Sequence, residues 1–457
     1  MSGALRAAGH RLPAATKVAL ATGDFATNTT LASLTLVFVP YFLIEVADLR
    51  PALAGLVPFV ARIIDAVTDP LMGRISDRTR WHWGRRRPYF LLGAVPFGLA
   101  FALLWTSPPV GSEVGRCAFY MAVYVLLSLA TTVVSVPYLA LLPEMALDYD
   151  ERTSVNTYRH VASVFGIVAA LGLRPLAGVY GEGPIGFAVA GSLYGVLVTL
   201  PWVIVYVASW EREEFRSRPS VSSLGEGLSS LARHATYRQL TALYLTGRMA
   251  IDLTGALLLL YFTHWIGRSA DFEPAMLIFL TAVICASPVW LRLTRRFDKA
   301  AMFRAGALLW MAGQVLLLAV QPDWPRGVAL SLGLLLGAGY AVVDFMPWAM
   351  IGDVIDEDDL AYGERREGLY NGSFGFLRKV AGAAVVMVAL AILDLAGFRK
   401  GAAPDASAIL AIRYLTALGP AVLLLVAVWL ARGYPLGRER HGAIARDLAA
   451  RRPRSEK

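Results

Sequence analysis

Twelve apolar runs of roughly 20 residues, separated by short polar segments, constrain this chain more than any other feature of its sequence. An α-helix of that length crosses the hydrocarbon core of a bilayer. Of the 457 residues 56% are hydrophobic and only 17% are charged, which is too little charge to cover soluble domains of this total size. We therefore predict an all-α membrane protein with spanning helices at residues 18–46, 52–73, 88–106, 117–140, 160–176, 185–209, 241–265, 274–291, 305–320, 327–352, 368–396 and 409–431.

Lysine and arginine are distributed unevenly between the two sets of connecting segments. With a cytoplasmic N-terminus, the inside segments carry 31 of these residues and the outside loops carry six. This asymmetry predicts that both termini are cytoplasmic, in a multi-pass protein of the cell membrane, the inner membrane in a bacterium. The net charge of +9 therefore orients the chain and does not indicate a nucleic-acid partner. No cleavable signal is expected, because residues 1–17 are polar and basic.

The longest hydrophilic stretch divides the apolar runs into six and six. We predict a cytoplasmic N-terminus (1–17), a six-helix bundle (18–210), a cytoplasmic linker (211–240), a second six-helix bundle (241–431) and a basic cytoplasmic tail (432–457). The polar loop that follows span two has a counterpart after span eight, which indicates an internal repeat. Two pseudo-symmetric halves with a midplane site between them are the architecture of many secondary transporters.

Three ionisable residues occupy one face of span two. Arg62, Asp65 and Asp69 are spaced i, i+3 and i+7, so the two carboxylates lie within roughly 6 Å of each other on a helix. A charge near the bilayer centre costs about 2.5–3.5 kcal/mol. Two adjacent carboxylates in a low dielectric therefore share a proton or bind a cation. Carboxylate oxygens are hard ligands, which favours Na⁺ or H⁺ over a soft metal.

Other pairings of these charges stay open on the sequence alone. Arg62 could simply pair with Asp65, leaving Asp69 to interact with the helix end. Lys379 is the one lysine inside a predicted span, and either the two aspartates or a snorkelling position beside Arg378 would satisfy it. Arg248 and Asp252, at i and i+4 on span seven, are expected to form a structural pair. Asp24 and Asp344 are among the remaining buried-looking ionisable residues.

Several segments, in order and spacing, resemble the glycoside–pentoside–hexuronide:cation symporters, a family that includes the melibiose permease. The segments that carry the resemblance are Ala61–Gly73, Asp77–Arg80, Gly84–Pro88, Val136–Glu144, Asp150–Arg152, Tyr158–Ala162, Asp353–Asp356, Gly363–Gly368 and Lys379. The resemblance implies the major facilitator fold and cation-coupled symport of a small organic solute. It implies neither an enzymatic activity nor a cofactor, only a coupling ion, Na⁺ or H⁺.

The resemblance also assigns roles to individual residues. It implies a cation site at Asp65, Asp69, Thr132 and Lys379, with the two aspartates as Na⁺ ligands if sodium is the coupling ion. It places substrate binding at Asp24, Asn28, Arg62, Ser135, Arg159 and Trp348. It assigns a cytoplasmic gate to Asp77, Arg78, Arg152, Asp353, Asp356 and Arg365, although a solvated loop would explain the Asp353–Arg365 cluster equally well.

This sequence departs from the family where the melibiose permease holds its sugar. One sugar-binding aspartate falls near Asn28, or at Asp24 if the alignment slips. The other falls on Ser135, and a nearby tryptophan falls on Leu139. Serine and leucine cannot replace an aspartate that accepts two sugar hydroxyls. A different sugar or glycoside is therefore expected, with a lysolipid transporter and a non-transporting membrane sensor or assembly protein as alternatives. The expected partners are the solute, the cation and the bilayer, with a monomeric chain.

Overall fold

A computed structural model describes residues 12–146, 149–181, 183–211, 233–294, 296–362, 367–398 and 405–451. These residues form two compact units, Met1–Val221 and Ser222–Lys457. Apart from an isolated bridge between Trp81 and Gly84, the described residues contain no β-structure. Each unit is a bundle of long helices.

The first unit contains six spans, the fifth of which is broken at Gly172. Its helices are α1 (Ala14–Ser33, continued by a π-helical segment, Leu34–Val46), α2 (Pro51–Arg78), α3 (Pro88–Leu104), α4 (Glu113–Met145), α5 (Tyr149–Leu171), α6 (Leu173–Val179) and α7 (Pro184–Ala208).

The second unit also contains six spans, followed by a further helix at its C-terminal end. Its helices are α8 (Ala235–Leu260, continued by a π-helical segment, Tyr261–Trp265), α9 (Phe272–Leu293), α10 (Lys299–Ala319), α11 (Arg326–Tyr362), α12 (Glu367–Leu395), α13 (Ala406–Arg432) and α14 (Arg438–Arg451).

The two units repeat one pattern of helix neighbours. In the first unit α1 packs against α5 and α7, α2 against α4, and α3 against α4 and α7. In the second unit α8 packs against α12 and α13, α9 against α11, and α10 against α11 and α13. Because the spans correspond one to one, the internal repeat expected from the sequence is present in the packing of the helices.

The hydropathy of the helices agrees with the predicted spans. Within the described residues, 11 helices are long and apolar enough to cross a membrane, and α3 is apolar but shorter, with 17 residues. Several helices extend beyond the predicted apolar runs: α2 continues to Arg78, and α11 continues to Tyr362. Hydropathy detects only the part of a helix inside the bilayer, whereas the polar ends of these helices are held by ion pairs.

Two boundaries differ from the predicted domains. The predicted linker runs to residue 240, but α8 already begins at Ala235, where Tyr237 and Leu240 are buried in the second unit. The predicted tail contains α14, which packs against α11. Ile444 of α14 is 6% exposed and belongs to the hydrophobic core of that unit. Both short segments escaped the hydropathy analysis because a few apolar residues among many charges suffice to dock them.

Candidate cation and solute sites

Asp65 and Asp69 on α2 lie opposite two hydroxyl groups on α4. The Thr132 hydroxyl donates a 2.6 Å hydrogen bond to Asp69 Oδ1, and the Ser128 hydroxyl donates a short hydrogen bond to Asp65 Oδ1. Asp65 is 3% exposed and Thr132 is 4% exposed. The structure therefore brings two carboxylates and two hydroxyls together between α2 and α4, as the i, i+4 spacing on each helix permits.

The register between the two helices produces this arrangement. Each partner on α4 lies 63 residues after its partner on α2, for Asp65 with Ser128 and for Asp69 with Thr132. One turn further on, Gly73 faces Val136, and a Cβ on the glycine would lie 3.9 Å from the valine side chain. The constant offset shows that α2 and α4 run parallel and in register over these three turns.

Arg62 neutralises one of the two carboxylates. Its Nη1 atom lies 2.9 Å from Asp65 Oδ2, so both oxygens of Asp65 have a partner. The simple Arg62–Asp65 pair that the sequence left open is thus present, and it coexists with the contacts of Asp69. With all three side chains ionised, this face of α2 carries one net negative charge.

The ligands that this site can offer are oxygen atoms. No group of three or more His, Cys, Asp and Glu side chains suited to a metal ion occurs in the described part of the chain. A cation between α2 and α4 would instead contact carboxylate and hydroxyl oxygens, the ligands of hard cations. Ser128 is the member of this group that the sequence analysis missed, although its i, i+4 relation to Thr132 mirrors that of the aspartates.

A second polar cluster joins α1, α4 and α5. Arg159 binds both carboxylate oxygens of Asp24, at 2.7 Å and 3.0 Å, and the Tyr138 hydroxyl donates to the same carboxylate. The Asn28 side chain, one turn after Asp24, donates to the Ser163 hydroxyl at 3.0 Å. The structure therefore joins Asp24 with Arg159, two residues to which the resemblance assigned substrate binding, and places Asn28 beside them on α1.

Two other predicted substrate residues, Ser135 and Trp348, lie on α4 and α11. Ser135 is half-buried on α4, one turn before Leu139, whose side chain is 52% exposed. Trp348 belongs to the second unit, where it lies on α11 with 40% of its surface exposed. Its ring packs edge-on against Tyr244 and Phe374, at 5.9 Å and 5.2 Å between ring centroids.

Lys379 and the expected Arg248–Asp252 pair also belong to the second unit. Lys379 is half-buried on α12, and its proposed partnership with Asp65 and Asp69 stays a prediction. Arg248 Nη2 lies 2.7 Å from Asp252 Oδ1, which confirms that pair. The arginine also reaches a second carboxylate, that of Asp344, at 3.1 Å.

The predicted gate residues of the first unit take part in a network of ion pairs at the polar end of the bundle. Asp77 accepts from Arg86 at 2.8 Å, whereas Arg78 is exposed at the end of α2. Arg86 and its neighbour Arg85 both bind Glu144, at 2.7 Å and 2.8 Å. Burial raises the pKa of Glu144, against the opposing effect of the two arginines. Arg152 lies on α5, and its side chain is outside the described side chains.

Glu211, which the sequence analysis did not single out, anchors the end of the first unit. Its carboxylate accepts hydrogen bonds from the backbone N–H groups of Arg85, Arg86 and Arg87, at 2.7 Å, 2.7 Å and 3.0 Å. These N–H groups precede α3, where the helix dipole favours a negative charge. Gly84 makes room for this contact, because a Cβ there would lie 2.6 Å from Glu211 Oε1.

In the second unit, the predicted gate residues contact the C-terminal helix. Asp353 binds Lys299 at 2.7 Å and lies 3.4 Å from His441 of α14. Asp356 accepts from the same histidine at 3.1 Å, and Arg440 binds the neighbouring Glu357 at 2.6 Å. The predicted member Arg365 lies outside the described residues. The sequence did not predict the contacts of Arg440 and His441, because the tail that contains them is rich in basic residues and these two do not stand out.

Comparison with known proteins identifies a family and several relatives. The model of the family described as MFS/sugar transport protein matches residues 19–438. An uncharacterised symporter of Synechocystis sp. is 28% identical, over 97% of this chain and 98% of its own length. The provisionally assigned glycoside/cation symporter YagG of Escherichia coli is 27% identical, over 92% and 91%. The sodium-dependent lysophosphatidylcholine symporter 1-A of Danio rerio is 24% identical, over 88% and 82%.

Solved structures agree on the fold. A bacterial homologue of the human lysosomal transporter Spinster superposes with a TM-score of 0.71 at 12% identity, over 96% of this chain and 99% of that chain. The nucleoside transporter NupG superposes with a TM-score of 0.66 at 12% identity, over 92% and 100%. At this identity the likeness concerns the fold alone, and it confirms the helical architecture that the resemblance implied.

Proposed function

Because this chain belongs to the family of MFS/sugar transport proteins, we propose that it couples one monovalent cation, bound at Asp65 and Asp69, to the transport of a sugar or glycoside. Membership of this family, together with relatives that are named symporters, makes the chain a cation-coupled transporter and not an enzyme. The non-transporting alternative therefore has no support. The identity of the cation and of the solute is the part that we propose.

The single observation that carries the cation site is the register of α2 against α4. Ser128 and Thr132 each donate a hydrogen bond to an aspartate, and Arg62 binds Asp65. Two neighbouring carboxylates at membrane depth are costly to ionise, so a cation that binds beside them removes an energetic penalty. This supports the assignment of cation binding to Asp69, with Asp65 and the two hydroxyls as neighbouring ligands.

We favour Na⁺ over H⁺ as the coupling ion. A proton requires only a carboxylate, whereas Na⁺ requires several oxygen ligands, and Ser128 and Thr132 add two hydroxyl oxygens to those of the aspartates. The lysophosphatidylcholine symporters of zebrafish and chicken are named sodium-dependent, which supports the same choice. Lys379 would then act as a competing cation when Na⁺ is absent.

The solute assignment rests on the family and on the polar residues of the first unit. The family description names sugar transport, and one relative carries the name of a glycoside/cation symporter. The Asp24–Arg159 pair has a hydroxyl neighbour in Tyr138, and such groups offer both donors and acceptors to a polyhydroxylated solute. We propose that Asp24, Asn28, Ser135 and Arg159 contact the solute in this unit.

The test uses the full chain in proteoliposomes with a panel of nitrophenyl glycosides. Uptake by the unmodified protein should rise with Na⁺ at constant pH and membrane potential. Asp65→Asn and Asp69→Asn should abolish that stimulation. Thr131→Ala is a matched control, because its hydroxyl bonds to Leu127 O on its own helix at 2.7 Å. Uptake that stays Na⁺-stimulated in both aspartate variants would refute the site.

Lysophospholipid transport is a second candidate function. The relatives named lysophosphatidylcholine symporters cover 88–94% of this chain at 24–25% identity, which is close to the identity of the glycoside relative. Thermal unfolding of purified protein with glycosides and with lysophosphatidylcholine, each with and without Na⁺, distinguishes the candidates. The solute that binds the native state raises its stability by mass action.

A further inference from the structure

Asp344 is a charged residue in the middle of a membrane-spanning helix, and much of its side chain is exposed. It lies near the centre of α11, within the span Arg326–Ala361, and 38% of its side-chain surface is accessible. A carboxylate at this depth is too costly to face lipid. The exposed face of α11 that carries Asp344 is therefore expected to contact water. Trp348 follows one helical turn later, so its exposed indole lies on the same face.

The hydrogen bonds of this cluster leave one carboxylate oxygen available. Arg248 Nε and Nη2 bind both oxygens of Asp252, at 3.2 Å and 2.7 Å. Arg248 Nη1 binds Asp344 Oδ1 at 3.1 Å. Asp344 Oδ2 accepts no hydrogen bond from any described residue. The arginine thus fixes the orientation of Asp344 while one of its oxygens remains free to accept a hydrogen bond from a bound molecule.

The packing on α12 holds the other members in place. A Cβ on Gly382 would overlap the Asp252 carboxylate, so only glycine lets that side chain lie against α12. Arg378 lies one turn before Gly382 on the same face of α12. Two arginines and two aspartates together carry no net charge. A neutral cluster with donors and an open acceptor favours an uncharged, hydroxylated ligand over an anion or a cation.

The aromatic residues give a further reason to favour a sugar ring. Tyr244 and Phe374 stack at 4.2 Å and are 1% and 0% exposed, and the indole of Trp348 packs edge-on against both. Of these three rings only that of Trp348 is exposed. Recognition of a trimethylammonium group uses a cage of several aromatic rings. A pyranose needs only one flat apolar surface and hydrogen-bond partners at its rim.

We propose that Asp344 joins Trp348, to which the resemblance already assigned substrate binding, in the solute-binding surface of the second unit: Asp344 Oδ2 accepts a hydroxyl of a pyranoside whose apolar face lies on the indole. Arg248 and Asp252 act as positioning residues that orient Asp344. This inference rests on the proposed function and adds the residues of the second unit to it. It assigns Asp344 a direct contact with the solute. An aspartate that served only to pair with Arg248 would not need this contact.

The first test measures binding of nitrophenyl pyranosides to the purified full chain by titration calorimetry in Na⁺. Asp344→Asn should weaken binding roughly ten-fold or more, because the one amide oxygen stays with Arg248 and the open carboxylate oxygen is replaced by an NH2 group, which donates. The stabilisation of the same variant by Na⁺ alone should equal that of the unmodified protein, which also shows that it folds. Asp323→Asn, an exposed carboxylate between α10 and α11, is the control and should bind normally.

Three other results of this binding experiment would each contradict a specific claim. Normal pyranoside binding by Asp344→Asn, with the Na⁺ response intact, overturns this inference and leaves the proposed function standing. Absence of pyranoside binding to the unmodified protein overturns the sugar assignment and this inference with it. If the unmodified protein binds lysophosphatidylcholine and Asp344→Asn does not, the ligand of Asp344 is a choline headgroup, and the pyranoside assignment is wrong.

A second test does not depend on the solute. In a background without Cys117 and Cys285, Asp344→Cys and Trp348→Cys should react with a hydrophilic methanethiosulfonate reagent added in water. Val343→Cys is the control and should not react, because Val343 is 1% exposed. Unreactive cysteines at 344 and 348 would show that this face of α11 does not line water, which overturns the inference.

Discussion

Thr132 Oγ1 lies 2.6 Å from Asp69 Oδ1, a contact that links α4 to the second of the two carboxylates on α2. Its neighbour one turn earlier, Ser128, makes the equivalent contact with Asp65. Through these two contacts, a pair of acidic residues on one helix becomes a site formed by two helices. The contribution of the Thr132 hydroxyl to this site can be tested directly.

Removal of the Thr132 hydroxyl should weaken cation binding without unfolding the protein. In Thr132→Val a hydroxyl that interacts with a charged group is lost, which is worth about 1.5–3 kcal/mol. We therefore expect the Na⁺ concentration for half-maximal thermal stabilisation to rise roughly ten-fold or more. Thr131→Val, whose hydroxyl bonds to the backbone of its own helix, should leave it unchanged. Equal effects of the two substitutions would contradict the site.

Arg62 should determine how many cations the site binds. Arg62 Nη1 lies 2.9 Å from Asp65 Oδ2. Arg62→Gln removes this positive charge and makes the face of α2 more negative by one unit. We expect Na⁺ to stabilise this variant at lower concentrations than the unmodified protein at pH 8, with a Hill coefficient above one. A weaker Na⁺ response would indicate that Arg62 helps to form the site and does not compete with the cation.

Gly84 should be irreplaceable for a steric and a conformational reason. Its φ of 114° is strained for any residue with a side chain, and a Cβ would lie 2.6 Å from the Glu211 carboxylate. A residue in such a region costs about 1–3 kcal/mol. Gly84→Ala should therefore lower the melting temperature measurably. Gly111→Ala, which meets no atom within 4 Å, should leave it within error.

Glu144 should contribute to the pH dependence of stability. Burial is the largest cause of its raised pKa, so the folded state holds this proton more tightly than the unfolded state. Its contribution to stability is present below the ordinary pKa of 4.5 and is lost as the pH rises through the raised value. Glu144→Gln removes that term. Between pH 4.5 and pH 7, the unmodified protein should lose more stability than the variant in parallel thermal-unfolding scans. A parallel pH profile for both would be the contrary result.

The spans and the α2 pair could be predicted because their signals are local. The length of an apolar run reports whether a helix crosses a bilayer, and an ionised residue inside such a run is conspicuous whatever surrounds it. Asp65, Asp69 and Arg62 belong to this class. Thr132 was found only through resemblance, and Ser128 was missed. Serine and threonine in a membrane helix commonly bond to their own backbone, as Thr131 does, so the residue type does not reveal a site.

The sequence by itself determined the membrane class, the twelve spans in two halves and the face of α2 that carries Arg62, Asp65 and Asp69. The tertiary structure alone decided which side chains meet those charges, which oxygen of Asp344 stays open and where α14 docks. Hydropathy and the cost of ionisation depend on a few residues along one helix. A register between helices depends on the packing of whole faces, and only the folded chain specifies that packing.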